Sequence, residues 1–170
     1  MAQYAKGYKK VSSETVLLKI IVSIILSVLG VIAVVFIYDI LTPSGSYTDF
    51  THLETYEEVL TQTGENEVPL DNYLIYFYSA SCTACSTIKA DVLKLADQIT
   101  DGGTIHIFFV DTAAATGDKD ALLLEMNQST LKTPTLVVVS GGDFYRAYEG
   151  TDDVLATLLE VKNETYDPFN

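Results

Sequence analysis

The chain has 170 residues, 48% hydrophobic and 19% charged, with 11 Tyr, 7 Phe, no Trp and two Cys. That apolar content fills a core, which excludes a wholly disordered chain, and two cysteines close one bridge at most, which excludes a disulfide scaffold or a four-Cys zinc site. The net charge of −13 is unevenly placed: residues 1–38 carry four lysines against one glutamate, whereas 39–170 carry 6 cations against 22 acids, which excludes nucleic acid as a partner because phosphate binding needs clustered cations.

From Ile20 to Tyr38 run 19 consecutive uncharged residues, IIVSIILSVLGVIAVVFIY. At about 1.5 Å per residue they make roughly 28 Å of helix, the thickness of a bilayer's hydrocarbon core. Val16, Leu17 and Leu18 extend the run, Lys19 can snorkel, and Tyr38 suits the opposite interface. The expectation is a tail at 1–15, a transmembrane helix over 16–38, a linker over 39–49, a folded domain over 50–163 and a loose tail over 164–170. Lys6, Lys9, Lys10 and Lys19 precede or begin the span and no cation occurs between 39 and 88. The positive-inside rule then predicts a single-pass cell-membrane protein with a cytoplasmic N-terminus and an extracellular domain. A cleaved signal peptide has a shorter apolar core and a small-residue cleavage site, neither of which is found here.

Thr42-Pro43-Ser44-Gly45-Ser46 reads as linker. Phe50, Leu53, Tyr56 and Leu60 then fit a short amphipathic helix closed by Gly64. Asn72 to Tyr78 is aromatic and β-branched, a buried strand. Ile88, Val92, Leu95, Ala96 and Ile99 form a helical stripe stopped by Gly102-Gly103. Thr104 to Val110 is a second strand, Asp118 to Met126 a short helix, and Thr135 to Val139 a third strand. Gly141-Gly142-Asp143 turns a hairpin into a fourth strand, Phe144 to Tyr148. A last helix over Asp152 to Val161 has Thr151 as its cap and Val154, Leu155, Leu158 and Leu159 on its inner face. Strands alternating with helices and ending in a hairpin predict an α/β domain: a mixed sheet with helices on both faces.

The residues with an evident chemistry are Cys82-Thr83-Ala84-Cys85, lying after a strand and opening a helix. A thiol at a helix N-terminus meets unpaired N–H groups and the positive dipole end, both of which favour thiolate. A second thiol three residues on lies on the same face and can close a small ring with the first. Those are the needs of thiol–disulfide exchange: a nucleophile and a resolving thiol beside it. Two inert core residues, a static bridge and half of an intermolecular metal site are the other readings of the pair. Nearby, Thr133-Pro134 immediately precedes an apolar strand, where a residue without N–H belongs. His52, His106 and Asp111 read as structural, and the loop Thr112 to Gly117 lies near the same sheet edge.

A strand, a CxxC at a helix start, a further strand–helix pair, then Thr-Pro before a hairpin and final helix resembles the thioredoxin superfamily over about Asp71 to Val161. The resemblance implies a thioredoxin-like fold, Cys82 as attacking nucleophile, Cys85 as resolving thiol, and a cis Thr133–Pro134 bond whose loop presents a backbone edge to the substrate. Gly150 matches a glycine of the family. Many members carry Trp before the first Cys, Gly-Pro between the pair, and a buried acid six residues before it. Here Ser81, Thr83-Ala84 and Tyr76 stand at those places, and Tyr76 is expected to be a packed core residue.

The implied function is a membrane-tethered thiol–disulfide oxidoreductase, acting on protein or peptide disulfides and thiols and recycled by an unidentified redox partner. No cofactor and no bound metal are expected, and the direction, oxidation or reduction, is open. A non-catalytic binding or chaperone module, or an exporter subunit with a structural bridge, is the alternative.

Overall fold

The structure, a computed structural model, describes residues 13–41, 45–63, 69–103 and 105–169, without the side chains of 13–15 and 35–41. Lys6, Lys9, Lys10, the Tyr38 ring, Pro43, Ser44, Gly64, Thr104 and Asn170, all used in the sequence reading, lie outside what is described. The chain divides into two compact units, Met1–Thr42 and Pro43–Asn170.

The first unit holds α1 (Ser13–Leu41). Its stretch Val16–Val34 has a mean hydropathy of 2.8 and buries none of its residues against protein. A helix this long and apolar is able to cross a bilayer.

In the second unit β1 (Tyr73–Tyr78), α2 (Thr83–Asp101), β2 (His106–Asp111), α3 (Lys119–Glu125), β3 (Thr135–Ser140), β4 (Asp143–Glu149) and α4 (Thr151–Lys162) follow in order. They form one mixed sheet ordered β2-β1-β3-β4. β1 runs parallel to β2, with Tyr76 opposite Phe109, and antiparallel to β3, with Tyr76 opposite Leu136. β3 and β4 make the antiparallel hairpin. This is the thioredoxin-like class the sequence points to, with β1 central and every one of its residues buried.

Alternation along the strands divides the core between the two faces of the sheet. Leu74, Tyr76, Tyr78, Ile107, Phe109, Leu136 and Val138 face α2 and α4, meeting Ile88, Val92, Ala96 and Leu158. Tyr73, Ile75, Phe77, Phe108, Val110, Val137 and Val139 face the other way, toward α3 and toward Leu53, Tyr56 and Val59.

Three expectations are corrected. The stretch from Phe50 to Leu60 is not a helix: a 3-10 turn, Tyr47–Asp49, leads into extended chain that bridges β2 at His52–Phe109 and the following loop at Thr55–Thr116. The Leu53 N–H donates to the Phe109 carbonyl at 2.9 Å and the Phe109 N–H to the Thr51 carbonyl at 2.9 Å. The apolar residues there do not share a helical stripe but straddle the sheet edge, Phe50 packing on one core and Leu53 with Tyr56 on the other. An edge strand leaves one row of backbone groups unpaired, and this segment satisfies part of it. His52 therefore sits in extended chain.

The C-terminal residues are not loose. Tyr166 is buried, its hydroxyl 2.9 Å from that of Tyr148, and the Ser140 hydroxyl donates to the Pro168 carbonyl at 2.7 Å. Two aromatic rings, Tyr166 and Phe169, join the core beside α4, where burial of large rings outweighs the ordering of a short segment. Finally, α4 starts at Thr151 with Gly150 as its N-cap; the Thr151 hydroxyl donates to Asp152 instead of capping, and Leu159 points to solvent.

On the far side, Glu57 accepts the Asp118 N–H at 2.7 Å and so ties the extended segment to the start of α3. Gly117 lies beneath that carboxylate at φ +96°, and a Cβ there would collide with the Glu57 side chain. Gly117→Ala is expected to destabilise the domain by roughly 1–3 kcal/mol through backbone strain and displacement of Glu57, measured as a lower midpoint in urea at unchanged slope.

Candidate active site

β1 ends at Tyr78, and a tight turn through Ser79–Ser81 carries the chain into α2. The Cys82 N–H donates to the Ser79 carbonyl at 3.1 Å, and the Ser79 and Ser81 hydroxyls lie 3.0 Å apart. Small polar residues that bond their own backbone suit such a turn. Cys82 then takes the N-cap position of α2 in extended conformation, and its Sγ accepts the Cys85 N–H at 3.0 Å. A helix N-terminus needs an acceptor for its free N–H groups, and here sulfur is that acceptor.

Cys82 and Cys85 are joined as a disulfide, their Cα atoms 5.2 Å apart. Their surroundings differ. Cys85 is 1% exposed and belongs to the core, whereas Cys82 is half-buried at the surface. An incoming sulfur therefore reaches Cys82 first, and a thiolate released there keeps the Cys85 N–H and the positive end of α2.

Thr133 and Pro134 come to the same place. The Thr133 carbonyl oxygen lies 3.3 Å from Cys82 Sγ. The Thr133–Pro134 peptide bond is cis and Pro134 is buried. The Pro134 carbonyl accepts the Gly150 N–H at 2.9 Å, with Gly150 at φ +89°, and the Thr135 hydroxyl donates to the Lys132 carbonyl at 2.8 Å. The loop is thus held from both sides, and its backbone stands beside the exposed sulfur.

Behind Cys85 lies a group of phenols. The Tyr47 hydroxyl donates to the Cys85 carbonyl at 3.2 Å and lies 3.5 Å from the Tyr76 hydroxyl. Tyr47 has one hydroxyl proton and it is used on the carbonyl, so Tyr76 is the donor of that longer bond. The Tyr47 ring packs at 4.1 Å between centroids on Tyr78 and is covered by the Lys89 ammonium 5.2 Å from its centroid. The Tyr78 hydroxyl meets His52 Nε2 at 2.8 Å, while His52 Nδ1 is 3.0 Å from the Phe50 carbonyl.

Burial pushes all three phenols up. Tyr76 lies far above the ordinary phenol range, because of burial and then its bond to Tyr47. Tyr47 is raised by burial, partly offset by that bond. Tyr78 is pushed up to about 12 by burial, then by Asp111 and Tyr47. At neutral pH these groups are hydrogen-bond donors, not bases.

Of the residues singled out in the sequence, Cys82, Cys85, Thr133 and Pro134 converge, and Tyr76 is a core residue whose hydroxyl takes part. His106 is exposed at the start of β2, and Asp111 accepts the Ala113 N–H at 3.0 Å in a turn. The loop after Asp111 is tied to the extended segment by the Thr116 N–H on the Glu54 carbonyl at 3.0 Å. Tyr47 was not legible: it lies in a Ser-rich stretch with no periodicity to mark it.

No family model matches the chain, and no curated protein matches it. Solved structures do. The chain is similar to oxidised mitochondrial thioredoxin 3 from Saccharomyces cerevisiae, at 20% identity over 70% of this chain and 99% of that one, with a TM-score of 0.49. It is similar to oxidised thioredoxin O2 from Arabidopsis thaliana, at 24% identity over 72% and 99%, with a TM-score of 0.48. A thioredoxin from Trypanosoma brucei brucei matches at 14% identity over 71% and 94%, also with a TM-score of 0.48.

Proposed function

We propose that the protein is a membrane-tethered thiol–disulfide oxidoreductase that exchanges disulfides with exported proteins or peptides. The observation that carries this reading is the asymmetric pair: a half-exposed Cys82 at the N-cap of α2, bonded to a buried Cys85. A structural bridge between residues three apart removes little chain entropy and adds modest stability. Attack by thiolate requires one reachable sulfur and one resolving sulfur, which is the arrangement found.

In the oxidising direction a substrate thiolate attacks Cys82 Sγ, the Cys82–Cys85 bond breaks, and Cys85 leaves and takes up a proton. A second substrate thiolate attacks the substrate sulfur of the mixed disulfide and expels Cys82 as thiolate. The substrate loses two electrons and the pair gains them. In the reducing direction Cys82 thiolate attacks a substrate disulfide and Cys85, after losing its proton, displaces the substrate thiolate. Thr133 and Pro134 serve as the backbone edge that aligns the substrate with Cys82. A small thiol or disulfide, or a partner protein bearing one, resets the pair. Lysines preceding α1 and the lack of any lysine or arginine from 39 to 88 support a cytoplasmic N-terminus with the redox domain outside.

The test uses the full-length chain with Cys85→Ser in its own membrane. Mixed disulfides are expected to accumulate at Cys82, to disappear on reduction, and to be absent from the Cys82→Ser/Cys85→Ser chain. Failure to capture any thiol partner, with the double variant matching the wild-type phenotype, overturns the redox reading in favour of a binding module.

A further inference from the structure

We propose that the β4 edge carries a binding site for a guanidinium group, formed by the rings of Tyr145, Tyr148 and Tyr166 and the carboxylates of Glu160 and Asp167. Its ligand is an arginine side chain of a peptide or protein partner. The site is distinct from the cysteine pair and does not depend on the redox reading above.

β4 is the last strand of the sheet. Tyr148 lies opposite Leu136 and Arg146 opposite Val138, so both share the α4 face of the sheet. The register shifts between Val138 and Val139, which leaves Tyr145 as an extra residue between Phe144 and Arg146. Such a bulge re-aims its side chain. Past α4 the chain turns back through Glu164 at φ +57°, and the Thr165 N–H donates to the Glu160 carbonyl at 2.9 Å. That turn lays Tyr166 against the strand. Its ring centroid is 6.5 Å from Tyr145 at 87° and 6.3 Å from Tyr148 at 70°. The Phe169 ring, 5.2 Å from Tyr166, and the bond from Ser140 to Pro168 hold the segment in place.

The three rings and two carboxylates line a depression of about 380 Å³. Tyr145 is 53% exposed, and Glu160 and Asp167 are exposed as well, so the site is open to a partner. Among the described residues the single ion pair is Lys132–Glu149, so neither carboxylate has a basic side chain at ion-pair distance. Aromatic faces attract a cation through the ring quadrupole, and carboxylates add charge and hydrogen-bond acceptors. Tyr166 lies above the ordinary phenol range because of burial and then its bond to Tyr148, so at neutral pH it is an uncharged phenol.

The identity of the cation follows from an example inside the fold. Arg146, the chain's one arginine, places its guanidinium carbon 5.7 Å from the Tyr148 ring centroid. It lines an adjoining depression of about 390 Å³ with Asp153, and that depression shares Tyr148 and Glu160 with the first. A guanidinium is thus already seated on residues of the site. A planar guanidinium stacks on a phenol ring while donating in its plane to carboxylates, so it uses both kinds of wall. A quaternary ammonium has no N–H to give Glu160 or Asp167. Together the two depressions hold three acids against Arg146, which favours a positively charged partner. β3 begins at Thr135, beside the cis peptide, and ends at Ser140, where Pro168 is fastened. The site therefore stands toward the end of the sheet away from Cys82, and neither cysteine lines it.

The experiment titrates the full-length protein, in dodecyl maltoside and with isotope-labelled tyrosine rings, with acetyl-Gly-Arg-Gly-amide at neutral pH. Saturable NMR shifts are expected at Tyr145 and Tyr148, with a Kd on the order of 1 mM for one side chain on an open site. The citrulline peptide, similar in shape but uncharged, is expected to bind at least about tenfold more weakly, and tetramethylammonium about threefold more weakly. Glu160→Gln and Tyr145→Ala, both at exposed positions, are each expected to weaken the arginine peptide about threefold or more.

Equal binding of the citrulline and arginine peptides, or no saturable shift with either, overturns the proposal. So does an unchanged Kd in either variant, which is the mark of general attraction to an acidic domain. Tighter binding of tetramethylammonium than of the arginine peptide assigns the site to quaternary ammonium ligands, and the guanidinium assignment fails. None of these readouts involves sulfur, so the redox reading is untouched by any of them.

Discussion

Cys82→Ser is expected to reduce the proposed thiol–disulfide exchange to the level seen without protein, and Cys85→Ser is expected still to attack and then to stall. An alcohol at position 82 keeps the cap but has no accessible anion near neutral pH, so the nucleophile is gone and the fold is not. The structure predicts the contrast between the two variants. Cys82 is half-exposed with the Cys85 N–H 3.0 Å from its sulfur, whereas Cys85 is 1% exposed among phenols and aliphatic groups. In the reduced protein, alkylation at neutral pH is expected to be at least about tenfold faster at Cys82 than at Cys85, since reactivity follows thiolate character and access. Mass spectrometry of a timed iodoacetamide reaction checks it. Equal labelling of both thiols, or faster labelling of Cys85, contradicts the assignment of nucleophile and resolving thiol.

Phe109→Ala is expected to destabilise the domain by about 3–5 kcal/mol, the loss for a buried aromatic ring replaced by a cavity. Phe109 is fully buried on β2 opposite Tyr76, and its ring lies 4.8 Å from that of Phe50, 5.7 Å from Tyr47 and 5.6 Å from Tyr76, centroid to centroid. Its backbone also pairs with Thr51 and Leu53. A domain of this size is commonly stable by about 5–15 kcal/mol, so the variant sits near the threshold of folding. Chemical denaturation followed by tyrosine fluorescence measures the loss. A change below about 1 kcal/mol means the ring does not bear the load its burial implies.

The strands and the long helix were readable because each carries a strong local pattern. Tyr73 to Tyr78 is uninterrupted and buried on both faces, and Ile88, Val92, Ala96 and Ile99 keep one side of α2 in the core. The cysteines were readable from spacing and from their place between a strand and a helix. Contacts made across the sheet edge were not. Phe50, Leu53 and Tyr56 have helical spacing by coincidence of two different cores, a fact visible only once β2 offers its free backbone. Tyr47 and Tyr166 are single aromatics in polar surroundings, and nothing local says that each ring finds a cavity far away in the chain. The division of roles within the CxxC was legible from the place of the first thiol at the helix start; the near-complete burial of Cys85 was not, since it depends on which face of α2 meets Tyr76.

The place of Tyr47 has a practical bearing on excising a water-soluble fragment. A cut at Phe50 preserves every strand and helix of the sheet domain yet removes a ring that is 8% exposed and lies against Tyr76, Tyr78 and Phe109. Such a truncation is expected to open a slot beside the Cys85 carbonyl, on which the Tyr47 hydroxyl sits at 3.2 Å. A fragment beginning before Gly45 keeps the plug, so recombinant versions differing by a handful of N-terminal residues will not be equivalent reagents.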